Sequence, residues 1–238
     1  AIDPMAADPA ATITTYAHPD LRGPVAMKSA ADGRLWFSLR GSGAIGSIDP
    51  RDAEPMRTLR IHRSDTIAAL SALFIDSGQR VWWVNAGTST IGGLDPADPG
   101  PLVAMGPWPE FGAPRAWAMG ADGRLWVTTQ ERPGLMTFDP AAPDAAATVD
   151  WFTGSRLRTP DGVWFGIDGA VWFVDTAADA IGRFAPSATG SQAWSFFGEP
   201  PEVEGPFDIK PGADPDDGRL WFTNEGGDSI GCIQVARR

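Results

Sequence analysis

The sequence predicts an all-β chain, a five-bladed β-propeller of four-stranded blades, on two observations. One phrase occurs five times: Leu35-Trp36-Phe37-Ser38, Val81-Trp82-Trp83-Val84, Leu125-Trp126-Val127-Thr128, Val171-Trp172-Phe173-Val174 and Leu220-Trp221-Phe222-Thr223. Each copy follows a glycine turn, Asp-Gly in four and Asp76-Ser77-Gly78 in the second, which reads as a turn feeding a strand. The tryptophans lie 44 to 49 residues apart, the period of sheet-blade arrays, in which no single sheet buries both faces and stacking supplies the core.

Four strands per repeat follow, A to D from the axis outward. Strand A precedes the Asp-Gly turn, over 26–30 in the first blade and within 67–75 in the second. Strand B is the tryptophan phrase, and strand C opens on Ile45-Gly46, Ile91-Gly92, Ile181-Gly182 and Ile230-Gly231, with Leu135-Met136 in the third copy. Strand D is expected over 56–61, 102–106, 148–152 and 193–197. Thr12-Ile13-Thr14-Thr15-Tyr16 has strand composition but no repeat before it, and the last repeat lacks a strand D after Ile230 to Val235. The N-terminal strand is therefore expected to pair there and close the ring, since an open edge is costly. Antiparallel order gathers the D-to-A and B-to-C loops on one mouth, and varied loops on a rigid ring are where function is expected.

Composition narrows the partners. A net charge of −11 argues against nucleic acid and anionic membranes, leaving a small molecule as the expected partner, and no apolar run is long enough to span a bilayer. Cys232 is the only cysteine, so no intramolecular disulfide forms, and it reads as a small buried filler. Residues 1–4 read as vector-derived, with Met5 as the natural start of a single domain over 5–238. No secretory signal is visible, and a cytoplasmic location is expected.

The phrases Asp217-Gly218-Arg219-Leu220-Trp221-Phe222-Thr223 and Ile45-Gly46-Ser47-Ile48-Asp49-Pro50 resemble the repeat of the virginiamycin B lyase (streptogramin lyase) family. That resemblance implies a propeller, seven-bladed in most of the family, whose lyases open a cyclic depsipeptide at its ester by elimination, assisted by Mg²⁺. It also implies two catalytic stations: a His after a Pro at the start of strand A, and a Glu just after strand B. Here the first station holds Val25, Arg115, Asp161 and Phe207, after Pro24, Pro114, Pro160 and Pro206, and the second holds Leu39, Asn85, Thr129, Asp175 and Asn224. No His or Glu occupies either, so streptogramin opening itself is not expected. The expectation is an enzyme of this type with altered residues, performing elimination, ring opening, cyclisation or isomerisation of a cyclic or polycyclic secondary metabolite. The alternatives are a non-catalytic ligand-binding propeller and a protein-interaction platform.

Candidate chemistry is sparse. His18 and His62 both fall where a strand D meets a loop, and either can act as a base or metal ligand, or be an outer loop residue remote from the axis. Asp161 and Asp175 occupy both stations of the fourth blade. They can hold Mg²⁺ or share a proton, or they can make a turn and bind backbone amides. Asn85 and Asn224 can orient a ligand; Arg115, Arg40 and Arg132 can bind an anion or pair with carboxylates. Lys28 and Lys210, in phase on blades that would adjoin, form an imine-type site or pair with carboxylates such as Asp208. Trp108, Phe111, Trp117, Trp164 and Phe207 exceed what the repeat needs and either wall a pocket or pack between blades.

Overall fold

The computed structural model describes residues 5–97, 102–109, 112 and 114–237. Among these residues nineteen strands form five antiparallel sheets. The first holds β1 (Pro24–Ser29), β2 (Leu35–Leu39), β3 (Ala44–Ile48) and β4 (Arg60–Arg63); the second β5 (Leu70–Ile75), β6 (Val81–Asn85), β7 (Thr90–Leu94) and β8 (Val103–Met105). The third holds β9 (Pro114–Met119), β10 (Leu125–Thr129), β11 (Gly134–Phe138) and β12 (Asp150–Thr153); the fourth β13 (Pro160–Phe165), β14 (Val171–Asp175), β15 (Ala180–Phe184) and β16 (Trp194–Phe197). The fifth has three strands, β17 (Pro206–Pro211), β18 (Arg219–Asn224) and β19 (Ser229–Gln234). Strands pair in chain order within each sheet, and the first strands of neighbouring sheets lie together, as the A-to-D reading requires. Among the described residues no helix is long and apolar enough to cross a membrane.

The repeated tryptophan is the joint between sheets. Trp36 packs into a cluster with Leu73, Val81 and Trp83 of the second sheet, and Trp82 with Leu125, Val127 and Phe138 of the third. Trp126 meets Val163 and Phe173 of the fourth, and Trp172 meets Ile209, Leu220 and Phe222 of the fifth. These four side chains are 2–4% exposed. Trp221, with no following sheet, is 40% exposed, and Met27, on the side of the first sheet with no preceding one, is 57% exposed. Among the described residues no junction of the kind that joins the other sheets links the first to the fifth.

The strand pairing expected to close the ring is not seen among the described residues. Thr12–Tyr16 forms no strand: a 3-10 turn takes Ala10–Thr12, the residues after it belong to none of the sheets, and the fifth sheet has three strands with β19 at its edge. The turn is held by Thr12 Oγ1 on Pro9 O at 2.7 Å, which takes the start of the expected strand out of the extended conformation. Cys232 is likewise exposed rather than a buried filler, because β19 is uncovered.

The Ile-Gly element has a steric origin. A Cβ at Gly46, Gly92, Gly182 or Gly231 would stand 2.1–2.2 Å from the ring of Phe37, Trp83, Phe173 or Phe222, its cross-strand partner on strand B. The third sheet solves the same space differently, with Val127 opposite Met136. Ring plus glycine and valine plus methionine are two fillings of one volume. Gly182→Ala is expected to destabilise the chain by about 1–3 kcal/mol through overpacking, and Phe173→Val with Gly182→Met to recover most of that in a denaturant melt. Independent, additive losses in the double variant would contradict the exchange.

Candidate functional site at the axial mouth

Each inner strand begins with the same irregularity. Pro24 faces Leu39 and Met27 faces Phe37, so three steps on β1 oppose two on β2, and the shift recurs in the other four sheets. A bulge of this kind takes a residue out of the ladder and re-aims it. The residue after the proline falls within it: Val25, Arg115, Asp161 and Phe207. The hydroxyls of Ser38, Thr128 and Thr223 accept the bulge amides of Ala26, Ala116 and Asp208 at 3.0–3.1 Å, which explains the Ser or Thr that ends the tryptophan phrase in these copies.

Two of those re-aimed side chains meet. Arg115 Nη2 donates to Asp161 Oδ2 at 3.0 Å, and Gln130 Nε2, just beyond β10, donates to the same oxygen at 3.1 Å. Asp161 is buried, and burial pushes its carboxyl above the usual carboxylate range although Arg115 and Gln130 oppose the shift; Asp208 adds to it. A Cβ on Gly162 would lie 2.5 Å from Asp208 Cα, so β13 and β17 approach this closely only because glycine stands there. Asp208 in turn accepts from Lys210 Nζ at 2.7 Å, with that ammonium 5.3 Å above the Trp164 ring. Lys28 Nζ lies 5.5 Å above Trp117. The lysines thus stand over aromatic faces of the fourth and third sheets, and Lys210 pairs with Asp208, the alternative to an imine-type site.

The second station does different work. Asp175 is fully buried and accepts the amides of Arg158 at 2.8 Å and Thr159 at 2.7 Å, pinning the loop that enters β13. Asn85 accepts from Ala68 N at 3.2 Å and Asn224 from Glu204 N at 2.6 Å, the same brace in the second and fifth sheets. Burial pushes the Asp175 carboxyl up, against the amides that favour its charge. Among the described residues Asp161 and Asp175 share no hydrogen-bond partner. Among the described residues no three His, Cys, Asp or Glu side chains come together, and the guanidinium on Asp161 disfavours a divalent cation, so the donor set does not suit a protein-held Mg²⁺.

The histidines lie elsewhere. His62, on the outermost strand β4, is half-buried and stacks on Trp36 at 5.4 Å; burial, then Arg60 and Arg34, push its pKa down. His18 is exposed, and its Nδ1 accepts the Asp20 amide at 3.2 Å. Arg40 ties the first sheet to the second through Leu70 O at 2.9 Å. Trp117 packs on Phe74 with ring centres 4.3 Å apart, and Trp108 lies edge-on to Trp151; Phe207 is exposed, and Phe111 lies outside the described residues. A separate groove of about 700 Å³ opens on the outer rim, lined by Trp151, Phe152, Arg156, Trp194 and Phe196. Gln130 was not marked by the repeat, since it falls one position past the second station.

With this geometry in hand, comparison places the chain among known structures. The fold is shared with virginiamycin B lyase. A catalytically inactive variant of the Staphylococcus aureus enzyme, crystallised with quinupristin, matches with a TM-score of 0.75 at 21% identity, over 92% of this chain and 69% of that one. A streptogramin B lyase structure matches with a TM-score of 0.52 at 20% identity, over 94% of this chain and 86% of that one. These likenesses establish the propeller-type fold. In sequence, a gluconolactonase of Zymomonas mobilis is 33% identical over 57 residues, 24% of this chain and only 16% of that protein. No family model matches the sequence.

The two stations make separable predictions. Asp175→Asn keeps one acceptor and gains a donor with no partner, because Ala180 stands where Thr90 and Ser229 receive the amides of Asn85 and Asn224. It is expected to cost about 1–3 kcal/mol, and Ala180→Ser in the same chain to restore part of that in thermal melts. For Asp161 the signature is pH. Its folded pKa is raised, so its contribution to stability is full below the unfolded value of about 3.9 and is lost as pH rises through the folded one. The stability of Asp161→Asn relative to the parent should therefore increase from that range towards neutral pH; a constant difference would contradict the raised pKa.

Proposed function

We propose that the chain is a small-molecule enzyme working at the axial mouth, opening or rearranging a cyclic ester or a comparable cyclic metabolite with Asp161 as acid/base. The observation that supports this best is the Arg115–Asp161–Gln130 cluster, a buried carboxylate with a raised pKa held by one cation and one amide. A raised pKa makes the ionised carboxylate a stronger base, while Arg115 keeps it ionised and oriented. In a ring-opening elimination, Asp161 takes the proton, the electron pair forms the new double bond, the ester C–O bond breaks, and Arg115 receives the departing carboxylate. The names of a lyase and a gluconolactonase among the similar proteins agree with chemistry on a cyclic ester. Asp175, Asn85 and Asn224 support the loops around the mouth, and aromatic faces at Trp117, Trp164 and Phe207 supply apolar contact. The second reading, a ligand-binding propeller without turnover, draws on the commitment of Asp161 Oδ2 to two donors already.

The test is turnover of a panel of lactones and a streptogramin B, with and without Mg²⁺. Ring opening of at least one lactone class, reduced about 10²–10⁴-fold in Asp161→Asn with no loss of stability at the assay pH, is expected. The streptogramin should be opened slowly or not at all. Saturable binding without turnover, unaffected by Asp161→Asn, would replace the enzyme with the binding module.

A further inference from the structure

The groove between the third and fourth sheets lies outside the chemistry proposed for Asp161, and its lining is unlike the rest of the surface. Phe152 of β12 meets Phe184 of β15 with ring centres 4.7 Å apart, Phe184 meets Trp194 of β16 at 4.6 Å, and Phe196 continues the row 6.5 Å from Trp194 with the two ring planes only 16° apart. Phe184 is buried, whereas Phe152, Trp194 and Phe196 are half-buried, because β12 and β16 are the outermost strands of their sheets. The wall is therefore aromatic and faces about 700 Å³ of open space, the size of a small-molecule site. Of the residues that line it only Arg156 carries a charge, in a chain of 30 acidic and 19 basic side chains. Its guanidinium lies 4.7 Å over the Phe196 ring, and among the described residues no carboxylate pairs with it. A fixed loop presents this arginine. The Leu157 amide donates to Gly154 O at 3.1 Å, the Leu157 side chain is buried in the core between the sheets, and Asp175 accepts the amides of Arg158 and Thr159. A Cβ on Gly154 would stand 3.3 Å from the Trp194 ring, so the loop also rests against the aromatic wall.

We propose that this groove is a second ligand site, which takes a planar aromatic carboxylate: the ring system lies against Trp194 and Phe196, and the carboxylate pairs with Arg156. Aromatic contact and a charge-assisted hydrogen bond are the two interactions that the lining supplies. A cationic ligand would meet the guanidinium with like charge and find no acidic group to answer it, and a neutral aliphatic one would leave both interactions unused. Because the loop that carries Arg156 is already pinned, little ordering remains to oppose binding. The site is built from β12, β15, β16 and the loop at 154–158, so it stands independently of turnover at Asp161.

Naphthoate, naphthamide and naphthylmethylamine share one ring system and differ in charge, and each is titrated into the full chain by calorimetry. Saturable binding of naphthoate is expected, tighter than that of the amide, with no binding of the amine. Arg156 is exposed, so Arg156→Gln keeps the fold, and it is expected to weaken naphthoate by about 10-fold or more. Arg156→Glu is expected to reverse the order of naphthoate and the amine. Arg115→Gln, which removes the cation beside Asp161, is expected to leave naphthoate binding unchanged. Binding lost in Arg115→Gln and kept in Arg156→Gln would place the ligand at the Asp161 cluster and overturn the proposal. So would equal affinity for the three probes, or no saturable naphthoate binding at millimolar concentration.

Discussion

The structure depends on one contact, the burial of a strand-B tryptophan against the next sheet. A four-stranded antiparallel sheet can cover itself with neither face, and the large flat indole fills the wedge between two sheets that diverge from the axis. Trp36, Trp82, Trp126 and Trp172 each do this with a different set of aliphatic and aromatic partners. The glycine opposite Phe37, Trp83, Phe173 and Phe222 serves the same packing on the other face of each sheet. What the array lacks is equally a consequence: at its two ends the same surfaces are formed and left uncovered.

This packing also accounts for the division of labour between the two polar stations. The end of strand B lies in the packed layer, so a polar residue there must be satisfied at once, and Asn85, Asp175 and Asn224 are satisfied by the amides of the incoming loop. The start of strand A is bulged out of the ladder, where Arg115 and Asp161 answer to each other and not to the ladder. The framework can therefore vary the first station without disturbing the brace, which is how one fold comes to host different chemistries.

Much of the fold was legible because a 44- to 49-residue repeat writes the same strands five times, and the strand boundaries fall within a few residues of those read from the phrase. Closure was not legible. Strand composition at Thr12–Tyr16 shows that the segment can pair, but which edge it reaches depends on the curvature between sheets, a property of side-chain shape summed over every junction. Arg115 and Asp161 could be placed by position after proline; Gln130 could not, since its role depends on a neighbouring sheet. His62 illustrates the converse. An ionisable residue singled out for its chemistry occupies the place that Phe152 fills two sheets on, and its ring serves as packing.

The central claim is that tryptophan junctions hold the array, with four filled and one open. It is tested most directly by changing each of the five repeat tryptophans to alanine in turn and measuring unfolding free energy at a concentration where the chain is monomeric. The four buried positions are expected to lose about 3–5 kcal/mol each, and Trp221→Ala to lose less than about 1 kcal/mol. A loss at Trp221 equal to the others would mean that the ring closes on itself and that the fifth junction is made within one chain.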